Sequence, residues 1–138
     1  MSGEDFPVCW SDRTAVVTMP AEVDLTVADA ARGALLEVLN QGAALLVVDM
    51  TATTFCDSAG ITALVRAARR AAASNAEIRV ATAAQTVLRV FSLVGIDRLI
   101  AVCPSLAEAM TLVPPPPGGV PEGADPPADE LPDGPVPA

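Results

Sequence analysis

The sequence predicts an α/β fold with a largely parallel core. Three observations carry that prediction. From Ala15 onward, strand-like apolar runs alternate with helix-like ones, the order that builds strand–helix–strand units. The run from Ala43 to Met50 is nearly all apolar, as a central strand covered on both faces should be. Apolar residues make up 51% of the chain and aromatics only 3%, so the core is aliphatic. A chain of 138 residues suits one domain.

The first element is a hairpin. Val8-Cys9-Trp10 reads as a short strand, Ser11-Asp12-Arg13-Thr14 has turn composition, and Ala15 to Met19 is the return strand. Pro20 ends it. Trp10, the one tryptophan, is expected half-buried on this hairpin. The loop Ala21-Glu22-Val23-Asp24 follows. Thr26-x-x-Asp29 has the spacing of a helix start. Val27, Ala31, Ala34, Leu35 and Val38 then recur at helical spacing, and Asn40-Gln41-Gly42 stops the helix. After the apolar strand to Met50 comes a polar link, Thr51 to Thr54, then Phe55 and Cys56.

Asp57-Ser58-Ala59-Gly60 opens the next helix, which runs to about Ala73. Asp57 is suited to the N-cap, where its carboxylate accepts from free first-turn N–H groups. Ser58 falls in that first turn, where backbone donors and the positive helix end favour an anion. Ile61, Leu64, Val65, Ala68 and Ala72 form one face, while Arg66, Arg69 and Arg70 lie on another. Those arginines read as a solvated face, and their spacing also permits contact with an acidic partner. Ser74-Asn75 breaks the helix, and Glu77 to Ala81 is a further strand. A helix starting between Thr82 and Gln85 turns Val87, Val90, Phe91 and Val94 inward, with Gly95 at its C-terminus. Ile100-Ala101-Val102 is a short strand, and Pro104-Ser105-x-x-Glu108 opens a last helix through about Leu112.

From Val113 the composition changes. Ten of the thirteen prolines lie beyond it, with Glu122, Asp125, Asp129, Glu130 and Asp133 and no base. A segment this poor in apolar side chains buries no core and is expected to be disordered or polyproline-like. The expected organisation is a folded unit over residues 1–112 and an acidic Pro-rich tail over 113–138.

Composition removes several functions. The net charge of −9 argues against nucleic-acid binding, which needs a basic footprint. No apolar run reaches the ~18 residues of a membrane span, and the acidic start Met1-Ser2-Gly3-Glu4-Asp5 lacks the order of a signal peptide. A cytoplasmic protein is expected. All eight cations are arginine; lysine and histidine are absent. Ser58 therefore has no neighbouring base of the kind a serine nucleophile needs. A phosphate-binding loop fails for want of its lysine. With no histidine and no Cys-x-x-Cys pair, no metal site is expected. The three cysteines, Cys9, Cys56 and Cys103, read as small apolar residues. Cys56 alone adjoins a helix N-terminus, a position that can lower a thiol pKa. The chain reads as a protein acted upon, with no catalytic residue and no cofactor.

Asp57-Ser58-Ala59-Gly60-Ile61, following an apolar strand that ends in an acid, resembles the signature of STAS domains of the anti-sigma factor antagonist type. Ala21-Glu22-Val23-Asp24 is similar to that family's Gly-Glu-Leu/Ile-Asp loop, with Ala21 in place of the glycine. Val90-x-x-Leu93-x-Gly95-Ile96-Asp97-Arg98 and Ser105-Leu106-Ala107-Glu108-Ala109 resemble its closing segments. The resemblance covers residues 8–112. It implies a STAS fold: a mixed sheet of four or five strands with an N-terminal hairpin, packed with about four helices.

The resemblance also implies a partner-switching regulator. In that family the unphosphorylated domain binds an anti-sigma factor that is also a serine kinase of the GHKL type, and so frees the sigma factor. Phosphorylation of the serine, here Ser58, releases the antagonist, and a PP2C-type phosphatase resets it. Glu22, Asp24, Asp57, Ser58, Ala59, Gly60 and Thr62 would form the partner surface, with Thr62 a secondary phosphosite candidate. Asp24 also reads as a loop residue that orders a turn. The alternative is a STAS binding or sensor module of another kind, stressosome-like or accessory to a transporter, with a redox role for Cys56.

Overall fold

The computed structural model describes residues 6–111. Strands β1 (Val8–Ser11) and β2 (Thr14–Thr18) form the antiparallel hairpin, with Ser11 paired to Thr14. Asp12 turns the corner at φ 60°, a left-handed conformation that aspartate tolerates better than most residues. The chain continues through β3 (Glu22–Val23), α1 (Leu25–Asn40), β4 (Leu45–Asp49), β5 (Phe55–Cys56) and α2 (Ser58–Ala73). After these come β6 (Glu77–Ala81), α3 (Gln85–Val94), a 3-10 turn (Ile96–Arg98), β7 (Ala101–Cys103) and α4 (Leu106–Thr111).

The main sheet has the order β1-β2-β4-β6-β7. Only β1 is antiparallel to its neighbour; the β2–β4, β4–β6 and β6–β7 pairs are parallel. The mixed five-stranded sheet and four α-helices are the predicted α/β architecture. Successive strand side chains alternate between faces, which divides the core in two. Ala15, Val17, Leu46, Val48, Ile78 and Val80 face α1, α2 and α3, and pack with Leu35, Leu64, Ala67, Val87 and Phe91. Val16, Val47, Ala81 and Cys103 point the other way and meet Ala109 of α4.

The helix over 58–73 buries Gly60, Ile61, Ala63, Leu64, Ala67, Ala68 and Ala71. Ala71 lies in the core while Ala72, expected inward, is exposed. Val94 is exposed as well: α3 ends there, and Gly95 at φ 79° turns the chain so that Ile96 and Ile100 take the buried places. Ile100 precedes β7 instead of starting it. Trp10 is 41% exposed on the edge strand. The acidic Pro-rich segment expected from residue 113 lies outside the described residues.

Two features have no counterpart in the sequence reading. Arg79, in the middle of β6, is only 1% exposed. Its Nε donates to Glu77 Oε2 at 2.8 Å and its Nη1 to the Ala109 carbonyl at 2.7 Å. Carbonyls in a helix's last turn lack partners within the helix, so Arg79 supplies one and ties α4 to the sheet. The second feature is a separate parallel pair, β3 with β5, which positions the site.

Candidate functional site

Glu22 pairs with Phe55 and Val23 with Cys56, so the two short strands end side by side. Each is followed by an aspartate that caps a helix. Asp24 Oδ1 accepts from the Thr26 N–H at 3.0 Å and the Thr26 hydroxyl at 2.6 Å. Asp57 Oδ1 accepts from the N–H groups of Ala59 at 2.9 Å and Gly60 at 3.2 Å. Asp24, and not Thr26, is thus the N-cap of α1; Thr26 stands in the first turn as its donor. The hydrogen bonds from Thr26 hold the Asp24 carboxyl below its ordinary pKa. Two helix mouths therefore open next to each other, and donors converge on both.

Gly60 is what lets them close up. A β-carbon there would stand 2.7 Å from Cys56 Sγ, 2.8 Å from Val23 Cγ1 and 2.9 Å from the Val23 carbonyl oxygen. Its glycine serves the approach of the neighbouring strand. The Asp57 N–H donates to the same Val23 carbonyl at 3.1 Å. The loop is fastened further by Ala21, whose carbonyl accepts from the Thr54 N–H at 2.8 Å. Among the described residues only Asp12 and Asn75 of the non-glycines have positive φ, so alanine at position 21 is unstrained. Thr53, 1% exposed, donates to the Pro20 carbonyl at 2.8 Å, and Thr86 of α3 to the Thr54 carbonyl at 2.9 Å.

On this frame Ser58 is the first residue of α2 and is exposed. Its carbonyl accepts from the Thr62 hydroxyl at 3.0 Å, while its own hydroxyl engages no partner among the described residues. Glu22 and Thr62 are exposed beside it, and Asp24, Asp57 and Ala59 are half-buried. The structure thus brings Glu22, Asp24, Asp57, Ser58, Ala59, Gly60 and Thr62 to one end of the fold.

A STAS domain family model matches residues 9–109. The chain belongs to the STAS domain family. Among solved structures, this STAS domain is similar to an anti-sigma factor antagonist from Mycobacterium paratuberculosis, with 25% identity and a TM-score of 0.71. That match covers 77% of this chain and 90% of the other. It also resembles an anti-sigma-factor antagonist (STAS) domain protein from Planctomyces limnophilus, with 18% identity, a TM-score of 0.68, and 76% and 93% of the two chains covered. The Bacillus cell fate determinant SpoIIAA in its phosphorylated form shares 20% identity and a TM-score of 0.61 over 76% and 96%. The last two likenesses concern the fold. No curated relative matches the chain.

Two further features of this STAS domain bear on its chemistry. Leu25, the first residue of α1, is 76% exposed, and Phe55 of β5 is 49% exposed. They stand at the two helix mouths, and an exposed aromatic such as Phe55 belongs to the residue types enriched at partner interfaces. Nothing in their local pattern marks them, since an apolar residue at a helix start or in a short strand normally reads as core. Cys56 is buried, and burial, with Asp57 beside it, pushes its thiol up to about 11. Burial against Gly60 outweighs the lowering expected at a helix mouth. At neutral pH this sulfur is a protonated core atom, which counts against a redox role.

Proposed function

We propose that this STAS domain is an anti-sigma factor antagonist switched by phosphorylation of Ser58. The observation that carries the reading is the exposed, unengaged hydroxyl of Ser58 at the opening of α2, between Asp57 and Thr62. Family membership and the 25%-identical mycobacterial antagonist support the general role. The unphosphorylated form binds an anti-sigma factor of the serine-kinase type through Glu22, Asp24, Asp57, Ser58, Ala59, Gly60 and Thr62. Leu25 and Phe55 add apolar anchors to that surface. The sigma factor is thereby freed, in the cytoplasm. The kinase transfers phosphate to Ser58 and the complex parts; a PP2C-type phosphatase restores the hydroxyl. The domain itself is the substrate of these steps and not a catalyst.

A phosphate adds about −1.5 to −2 charges at neutral pH. At the exposed mouth of α2, whose Ala59 and Gly60 N–H groups Asp57 already engages, an anion is tolerated or favoured by about 1 kcal/mol or less. Across an interface it meets a surface shaped for a hydroxyl, and burying or opposing it costs several kcal/mol. A loss of ~3 kcal/mol is more than a hundredfold in affinity. The difference between those two environments makes the switch.

The test incubates the protein with candidate kinase-type anti-sigma factors and ATP, and maps phosphate by mass spectrometry. In a pull-down, Ser58→Ala is expected to bind and Ser58→Glu to fail. Equal capture of the two variants, or phosphate elsewhere than Ser58, contradicts the switch. Among the described residues no helix is long and apolar enough to cross a membrane.

A further inference from the structure

The groove between α1 and α2 carries a concentration of charge opposite to that of the chain. Arg32 of α1 and Arg66, Arg69 and Arg70 of α2 line it, together with Leu36 and Val65. Half of the eight arginines thus stand on one face of a protein whose net charge is −9. Little in the folded part answers them. Arg32 pairs with Asp29 at 3.0 Å, and Arg70 donates to the neutral amide of Asn40. Arg66 and Arg69 are exposed and have no ion pair among the described residues. Of the acids on α1, Asp29 is engaged by Arg32 and Glu37 accepts from Gln41. Arg66, Arg69 and Arg70, close together with no carboxylate partner among the described residues, raise a local potential that draws in an anion.

The chain holds a matching segment. Beyond Thr111 it carries Glu122, Asp125, Asp129, Glu130 and Asp133 and no base, with ten prolines between Pro114 and Pro137. We infer that this acidic segment of the same chain is the occupant of the arginine groove. Its charge is complementary, five acids against four arginines. Its length also fits. α4 lies on the sheet face opposite α1 and α2, so the path must pass round an edge. A domain of about 100 residues has a radius of gyration of roughly 13 Å, which makes that path about 50 Å. At about 3.1 Å per residue for a proline-rich chain, Glu122 lies about 34 Å along from Thr111 and Asp133 about 68 Å. The acids therefore bracket the required distance. Tethering supplies the rest: an intramolecular partner acts at an effective concentration in the millimolar range, which suits a contact made of solvent-exposed ion pairs that are individually weak. The contact needs no phosphate on Ser58.

The experiment uses the full chain with a nitroxide on one tail cysteine, Ala128→Cys, in a Cys9→Ser background. The remaining thiols, Cys56 and Cys103, are buried. Backbone amides of Arg66 and Arg69 are expected to lose more than half their intensity, while those of Val8 and Trp10 on the far hairpin keep theirs. The loss should vanish when the five tail acids are changed to their amides, when Arg66 and Arg69 are changed to Glu, and in about 1 M salt, where the Debye length is about 3 Å. It should not change on tenfold dilution. Amides of α2 no more affected than those of β1 overturn the inference. So does broadening that arises only between a labelled and an isotope-enriched copy, which would make the occupant a second molecule.

Discussion

At the scale of single residues, the site is built by what is left out as much as by what is present. Gly60 has room for no β-carbon, because one of the atoms it would strike is the Val23 backbone oxygen, which cannot swing aside. Gly60→Ala is therefore expected to destabilise the fold by about 1–3 kcal/mol, the usual range for overpacking, measured by chemical denaturation. A variant as stable as the parent would mean that β3 and α2 are not tightly joined. Cys56 offers a second measurement. The chain has no lysine, histidine or tyrosine, so thiols dominate its side-chain titration between pH 8 and 11. Cys56 is held protonated up to about 11, against 9.0 for a free thiol. The unfolded chain gives up this proton first, so the folded state binds more protons in that window and stability falls as pH rises. The contribution is fully present below pH 9 and is lost by about pH 11, at most roughly 3 kcal/mol at 1.36 kcal/mol per unit. Cys56→Ala should show a flatter decline over the same range. Cys103, which burial also shifts upward, leaves a residual slope. If the variant and the parent decline in parallel, Cys56 does not titrate as its burial requires.

At the scale of elements, the order of strands and helices was legible because each long element carries its period. β2 and β4 are five-residue strands with apolar centres, β6 is one of five residues in which Ile78, Val80 and Ala81 are apolar, and α1 and α2 repeat their buried residues at helical spacing. The pair β3–β5 was not legible, since strands of two residues have no period to read. Its presence follows only once Gly60 and Asp57 draw Val23 close. Thr26 read as a cap because the capping pattern counts hydroxyls and carboxylates alike; the residue two before it, Asp24, reached the free N–H first. The candidate site was legible through Asp57-Ser58-Ala59-Gly60, while Leu25 and Phe55 were hidden by looking like core. Arg79 was equally hidden, because a charged residue inside a strand normally marks an exposed face. Its burial makes a prediction about α4. Arg79→Ala removes the donor to the Ala109 carbonyl, a loss of about 1–3 kcal/mol for an acceptor left unsatisfied, while Glu77, one-third exposed, is left to solvent. Hydrogen exchange should show α4 opening well before β4. Unchanged protection in α4 would mean that Ala109 packing alone holds the helix.

At the scale of the whole molecule, the question is whether a dianion at Ser58 changes the fold or only its associations. The hydroxyl lies outside both halves of the core: Leu35, Leu46, Phe91 and their neighbours pack under α2, and the site stands at the open end of that helix. Asp57 already occupies the Ala59 and Gly60 N–H groups, so an added phosphate competes with a carboxylate that is itself negative. Its attraction to the helix mouth and its repulsion from Asp57 and Asp24 act on one exposed group in high dielectric, where each is worth about 1 kcal/mol or less. They oppose one another. The net change in folding stability on phosphorylation is therefore expected to stay within about 1 kcal/mol, which moves the melting temperature of a domain this size by roughly 4–8 °C at most. Affinity for the proposed anti-sigma factor partner should meanwhile fall more than a hundredfold. Calorimetry of the phosphorylated and unphosphorylated protein, run beside titration against the partner, separates the two quantities. A large fall in melting temperature that accompanies the lost affinity would show that phosphate acts by loosening β3, β5 and α2, and would replace a surface block with a conformational one.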